Sequence, residues 1–465
     1  MLITIISCKE DEEPIFNLLE DDVYLFSQEQ VNEFVARKVT HLRGSLTIFG
    51  DDISDLRGLG IISSIEGSLM IGNTQIRNVD VFSNLTRLDE RLEISSNYNL
   101  ENLNGFNQIG SLGGQLKSVQ VYDNPKLTTI NQFNEFAIFK EGVSIWSNES
   151  LTDVDFSGLI EAGVVSIQSN PLLSDLSGFS QLRQVGHLSV ANSPVITTLT
   201  DLHLERVESL QISGLSNLAN LNGLESITEV ELIYIEGNPL ITEIDEFREL
   251  TELSGELSLS GNTSLTTVDF NRLNYVGHLH LNETQLEDFS GFSALREVGG
   301  DLSLSSNDRL PDLDDLPVSE IHGTLSLWGN AQITSLEPLT SLDVIGGLRI
   351  QRSALANFKG LENVTVLSDV SISDNLQLES LEGLGNLKEV GSNIFLKNSP
   401  LLTNLEGLNA LEKLGNTLSI YDCSNLTDYC ALEQLVADGV KNRTTIERNA
   451  YNPTLGDIVR GDCRQ

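Results

Sequence analysis

The sequence predicts a right-handed parallel β-solenoid of about seventeen coils of 22–24 residues with a cap at each end, and three observations carry that prediction. The first is a repeated phrase. Leu69–Leu85 (LMIGNTQIRNVDVFSNL) sets apolar Leu69 and Ile71 around one residue, then Asn73, then Ile76, Val79, Phe82 and Leu85; Leu92, Ile94, Asn97, Leu100 and Leu103 repeat it. The second is the period. Strand starts fall at Leu46, Leu69, Leu92, Val119, Val143, Val165, Leu188, Leu210, Ile233, Leu257, Leu279, Leu302, Leu325, Leu348, Val370, Ile394 and Leu418, at intervals of 22 to 27, with a degenerate further coil near Thr444. Such a period marks stacked units, none of which can bury its apolar face alone. The third is the alternation at each start (Leu69-Met70-Ile71), which is strand-like, and identical strands in successive coils run parallel. The second half of each coil steps its apolar residues by three (Leu224, Ile227, Val230; Leu384, Leu387, Val390). At this length it has no room for an α-helix and reads as a second strand or an extended turn.

Taken in order, residues 1–13 hold an apolar run, Leu2–Ile6, then Ser7 and Cys8, then Lys9-Glu10-Asp11-Glu12-Glu13. Ile5-Ile6-Ser7-Cys8 resembles the lipobox of bacterial lipoproteins, in which the signal is cut before a Cys that is then lipidated. The acidic stretch after it resembles the tract that sends some Gram-negative lipoproteins to the outer face of the outer membrane. The resemblance implies a lipid anchor at Cys8. The apolar run is short and no basic residue precedes it, so the true start is expected upstream. Residues 14–45 read as the N-terminal cap: Ser27 with Gln30 three residues on is an N-cap pattern, and Val31, Phe34 and Val35 follow at helical spacing. Residues 46–430 read as one continuous solenoid, and 431–465 as the C-terminal cap with short helical turns at Ala431–Val436 and after Thr454.

Two polar rows run through the coils. Asn73, 97, 124, 148, 170, 192, 238, 262, 307, 330, 375 and 398 follow the strand starts by four or five residues. A buried amide there can satisfy backbone groups of its own and the adjacent coil. The second row is Asp55, Asn78, Asn102, Thr129, Asp153, Asp175, Thr198, Asn220, Glu243, Thr267, Asp288, Asp312, Ser335, Asn357, Ser380, Asn404 and Asp428. Nearly all are short side chains that fold back onto turn backbone, and their mixed chemistry speaks against a cation row.

The words GSLMIGN, GELSLSGN, GDLSLSSN and GTLSLWGN, with runs such as LEGLGNLKEVG (381–391), resemble leucine-rich repeats and, more closely, the receptor L domain, over roughly residues 40–430. That resemblance implies a β-helical repeat used for binding, and bacterial members are typically surface lipoproteins. It carries over no ligand site, since this array is longer than a receptor L domain. Such repeats also accept Cys in the Asn slot, which implies a buried thiol at Cys423. Cys430 and Cys463 are then candidates for a disulfide closing the cap, with Cys423–Cys430 as the alternative.

Composition narrows the function. Aromatic residues make up only 6% of the chain, so a core of many small aliphatic contacts is expected. A formal charge of −39 repels phosphate backbones and anionic lipid, so nucleic acid is not an expected partner. No CxxC pair or Cys/His cluster indicates a metal, and no cofactor motif occurs. Ser is the commonest outward strand residue, with one Glu (Glu93) and one Arg (Arg349) far apart; a polysaccharide-acting β-helix enzyme would need acids on adjacent coils. His278 and His280 share a face, with nothing nearby in sequence to complete a metal site or triad. Just after the strand stand Phe49, Tyr122, Trp146, Trp328 and Tyr421. Tyr122 and Trp146 are on consecutive coils, so their rings should be neighbours. Tyr122, Trp146 and Trp328 are the candidate ligand-binding residues, the rival role for such rings being to cover the sheet edge. The expected function is a non-catalytic, lipid-anchored surface protein that binds a protein or glycan. The alternatives are the β-helix enzyme and a purely structural spacer.

Overall fold

The computed structural model describes residues 17–111, 115–437 and 443–465, and the chain forms two compact units, Met1–Val185 and Gly186–Gln465. Each unit is a parallel β-solenoid. In the first, Val23, Leu46, Leu69, Leu92, Val119, Val143 and Val165 pair in unbroken parallel register from coil to coil. In the second, the row runs Leu210, Ile233, Leu257, Leu279, Leu302, Leu325, Leu348, Val370, Ile394, Leu418 and Thr444. The apolar members of both rows are buried. A parallel register with period-two alternation sends one set of side chains inward in every coil, and that continuous interior is the core.

The ladder starts one coil earlier than Leu46, at Val23–Leu25. The helix Gln28–Val35 follows it directly. Ser27 caps this helix by accepting from the Gln30 amide at 3.3 Å, while Gln30 Oε1 accepts from the Phe26 amide at 2.6 Å. Val31 and Phe34 point into the core, and Val35 packs where Gly58 leaves room, since a Cβ there would lie 2.3 Å from Val35 Cγ1. At the C-terminal end of the second unit, helices Glu433–Ala437 and Leu455–Val459 and the strand Thr444–Glu447 form the cap, with a Thr454/Asp457 capping box on the last helix. Cys430 and Cys463 are joined by a disulfide with Cα atoms 4.9 Å apart, and Cys423 is a buried free thiol.

At the corner after many of the strands, one buried side-chain amide serves two coils. Asn148 Oδ1 accepts from the Asn124 amide at 3.1 Å, and its Nδ2 donates to Val121 O at 2.9 Å, both on the preceding coil. The Asn148 amide in turn donates to Asn170 Oδ1 at 3.1 Å. Asn97, Asn124, Asn238, Asn262, Asn307, Asn330 and Asn375 work the same way, and Asn449 extends the row into the C-terminal cap by accepting from the Cys423 amide. Three expected members are corrected. Asn73, Asn192 and Asn398 stand one residue before the ladder, with φ of 50°, 50° and 49°, and Thr74, Ser193 and Ser399 fill the buried slot. Many coils turn through a left-handed residue at that preceding position, whether Asn, Ser, Asp or Gly. Asparagine suits either place, because it tolerates left-handed backbone as readily as it bridges coils.

The second polar row caps turns as expected: Asp55, Asn78, Asp175, Asp288 and Asn357, among others, accept from the amide two residues on. Thr129, Asp153, Glu243 and Thr267 differ. They lie in short parallel strands, Thr129–Ile130 with Asp153–Val154 and Glu243–Ile244 with Thr267–Val268. The second half of the coil is therefore mixed. Where it is not a strand it often closes in a 3₁₀ turn such as Asn104–Phe106, Ser177–Phe179 or Ser290–Phe292, which the expected second strand or extended turn did not include. Glycine is required in these turns: a Cβ on Gly105 would lie 1.7 Å from Val79 O of the coil before it.

As the composition suggests, the core is mostly aliphatic, with Leu, Ile and Val making up most of the buried apolar residues. The few rings are concentrated in interior columns: Phe133, Phe156 and Phe179 stack at 5.7 and 5.2 Å, and Phe247, Phe270 and Phe292 at 5.9 and 5.5 Å. Parallel register puts like above like, so stacked rings fill the width of a coil where three methyl groups would leave voids. In this interior Glu246 is an oddity. It is 4% exposed, and its carboxyl pKa is raised by burial and by the nearby Asp245 and Glu225 charges. The matching residue before Phe133 is the neutral Gln132.

Two outcomes follow from this chemistry. Asn148→Ala should cost about 2–4 kcal/mol, because it strands an amide and a carbonyl of the preceding coil, whereas Asn73→Gly should stay within about 1 kcal/mol of wild type. Equilibrium unfolding in guanidinium distinguishes them. Glu246 has a folded pKa above its unfolded one, so its favourable protonated state is complete only below the unfolded pKa, and stability falls as pH rises through the folded value. Glu246→Gln should raise the melting temperature at pH 7.5 by about 2 °C and change little at pH 4, as read by thermal unfolding at the two pH values.

Candidate functional site

The sheet face of the first unit carries the strongest candidate. Tyr122 and Trp146 end the strands Ser118–Tyr122 and Gly142–Trp146, which pair residue for residue, so the two rings occupy one column. They belong to the strands themselves rather than to the position after them. Their centroids are 4.2 Å apart and their planes differ by 6°. Both are half-buried. Rings stacked along the ladder present their edges outward, so the pair is a rigid ridge rather than a flat plate.

The ridge is anchored by a carboxylate. The Tyr122 hydroxyl donates to Glu93 Oε1 at 2.7 Å. Partial burial, together with the Glu93 charge, pushes the phenol pKa up, so Tyr122 remains a neutral donor across physiological pH. Around it lies a polar field. The Gln168 amide donates to Ser166 Oγ at 3.0 Å, and Ser118 Oγ donates to Glu141 Oε2 at 3.0 Å. Arg91 holds Glu93 and Glu141 only at 4.0 and 3.9 Å, and its Nε makes no hydrogen bond among the described residues. Aromatic edges, amides, hydroxyls and both signs of charge thus meet on neighbouring coils. Such a surface can hold a polar ligand by several directed hydrogen bonds against an apolar ridge.

Trp328 lies in the second unit, in register with Ser305 and Gln351, and the guanidinium of Arg352 sits 5.7 Å over its ring. It is 37% exposed but already partnered, as is Tyr421 beneath Arg448. The three candidate aromatics therefore do not form one cluster within a unit. Phe49 stands in the column of Tyr122, beyond Gly72 and Ser95, and its ring leans over Gly72. Cys8 lies outside the described residues.

His278 and His280 sit with ring centroids 6.3 Å apart. His278 Nδ1 accepts from the Asp301 amide at 3.0 Å, while His280 Nδ1 is 3.6 Å from Glu256, which also accepts from the Tyr234 hydroxyl. A different histidine makes the closer cluster. His322 Nε2 lies 3.2 Å from Glu297 Oε1 and 3.2 Å from Glu320 Oε2. Glu297 and Glu320 are register partners on adjacent coils. The group does not stand out in the sequence because its acids are one coil apart. The signal that could have found it is that His322 follows Ile321 where the flanking coils have Gly299 after Val298 and Gly346 after Ile345.

Comparison with known proteins bears on the repeat. Residues 38–156 match the family model described as Receptor L domain. No curated protein matches the sequence. Among solved structures, the chain is similar to TLR13 from a complex with ssRNA13, at 15% identity over 94% of this chain and 81% of that one, with a TM-score of 0.27. It is also similar to a chain of the Drosophila Toll–Spatzle complex, at 13% identity over 94% of this chain and 66% of that one, with a TM-score of 0.45. An internalin from Listeria monocytogenes shows 13% identity over 92% of this chain and 89% of that one, with a TM-score of 0.29. Within residues 38–156 the coil geometry agrees with the family match: that stretch is similar to a receptor L domain.

Proposed function

We propose that this chain is a non-catalytic binding protein, held at the outer face of a bacterial outer membrane by a lipid on Cys8, that presents the Tyr122–Trp146 face to a protein or glycan. The observation that carries the reading is the stacked ring pair set in a field of amides, hydroxyls and carboxylates. Repeats of the receptor L-domain class are generally non-enzymatic binding scaffolds, which agrees with it. The formal charge of −39 favours neutral or cationic ligands over nucleic acid. The Ile5-Ile6-Ser7-Cys8 stretch and the acidic residues after it motivate the anchor.

Glycan and protein arrays probed with wild type and Trp146→Ala test the face. A hit weakened at least about tenfold by the substitution supports it, on the scale of an aromatic anchor at a binding surface. No hit, or one that Trp146→Ala leaves unchanged, removes it. Mass spectrometry of the native N-terminus tests the anchor: an acylated Cys8 is expected, and a free, unmodified Met1 would refute it.

A further inference from the structure

We infer that Glu297, Glu320 and His322 form a surface binding site for a divalent transition metal of the zinc class. The site lies in the second unit, and the inference is independent of the ligand-binding reading above. Three features of the geometry point to it.

The first is donor spacing. His322 Nε2 is 3.2 Å from an oxygen of each carboxylate, and the three donor atoms all lie within 4.8 Å of one another. Around zinc, with bonds near 2.0–2.2 Å in tetrahedral array, neighbouring donors stand about 3.4 Å apart. A single imidazole nitrogen at that distance from two carboxylates matches two edges of such an array. As a hydrogen-bond arrangement it is poorer, because one N–H cannot point at both oxygens.

The second is how the fold assembles the group. Glu297 and Glu320 are paired in parallel register, which brings like charges to adjacent positions about 4.8 Å apart, an arrangement that is unfavourable without a cation between them. His322 stands two residues after Glu320 in one strand, so alternation around the buried Ile321 puts both side chains on the same face, beside Glu297 of the coil before. The third is access. Gly299 holds the matching position in the coil before, so that residue adds no side chain of its own beside the imidazole, although the Tyr275 hydroxyl lies over that glycine. Glu297, Glu320 and His322 are each more than 40% exposed at the side chain. Three protein donors with an open side leave at least one position for water or for a donor from a ligand.

The rival state is a protonated His322 bridging the two acids with no metal. Zinc requires the neutral imidazole, so binding must strengthen as pH rises. The full chain is titrated with zinc chloride by calorimetry at pH 6 and pH 7.5, and with cobalt(II) by visible absorption. The expected result is one zinc bound in the micromolar range at pH 7.5, weaker at pH 6, with cobalt d–d bands of low-coordinate geometry. His322→Ala and the double change Glu297→Gln/Glu320→Gln should each weaken it at least about tenfold. Glu243→Gln, which removes an exposed acid elsewhere in the same unit, should leave it unchanged. Wild type without micromolar binding, or His322→Ala binding as tightly as wild type, overturns the proposal. The residues are exposed, and matching circular dichroism confirms that each variant is folded.

Discussion

Everything in this molecule depends on the corner after each strand. There the chain turns, often through a left-handed residue, and immediately buries the next one, whose backbone amide can no longer reach water. In the coils that use asparagine, that amide is received by the side chain of the following coil, and the same side chain covers a strand carbonyl. An unpaired buried backbone group costs about as much as a lost hydrogen bond, so a coil without its neighbour is not a stable object. Stability within a unit is therefore shared between adjacent coils rather than held in any one of them. The same logic explains why the row continues as Asn449 in the C-terminal cap, where the Cys423 amide needs a receiver.

Strict register has a second effect, on surfaces. Because residues stack in columns, a chemical type placed at one position of consecutive coils is automatically brought to about 4.8 Å. Inside, this makes the phenylalanine columns. Outside, it makes the Tyr122–Trp146 ridge and the Glu297–Glu320 pair. A repeat scaffold thus builds sites by column rather than by loop, and a site of two or three coils can change without disturbing the register beneath it. Gln132 and Glu246, one neutral and one ionisable, stand at equivalent buried positions, and burial raises the Glu246 pKa.

The strand rows were legible because burial on one face imposes an alternation that no other arrangement of these residues satisfies. The stacking of Tyr122 on Trp146 was legible for the same reason, whereas the helix cap at Ser27 was legible from its local capping pattern with Gln30. The asparagine row was legible only in part. Asn73, Asn192 and Asn398 look like ladder members by spacing, yet a one-residue offset puts them in the left-handed turn, and asparagine is favourable in both. The 3₁₀ turns were not legible because steps of three fit a tight turn and an extended one alike.

The sequence by itself determined the period, the parallel strand rows and the inward and outward faces, because each follows from which residues must leave water. Tertiary structure alone decided which polar residues bridge coils and which only turn the chain, and that Trp328 is paired with Arg352 rather than with another of the candidate rings. It also decided that His322 reaches two acids, one of them a coil away. The physical reason is the same in each case. Burial is written in the pattern of a single coil, whereas hydrogen bonds and charge contacts are made between coils, where an offset of one residue changes the partner.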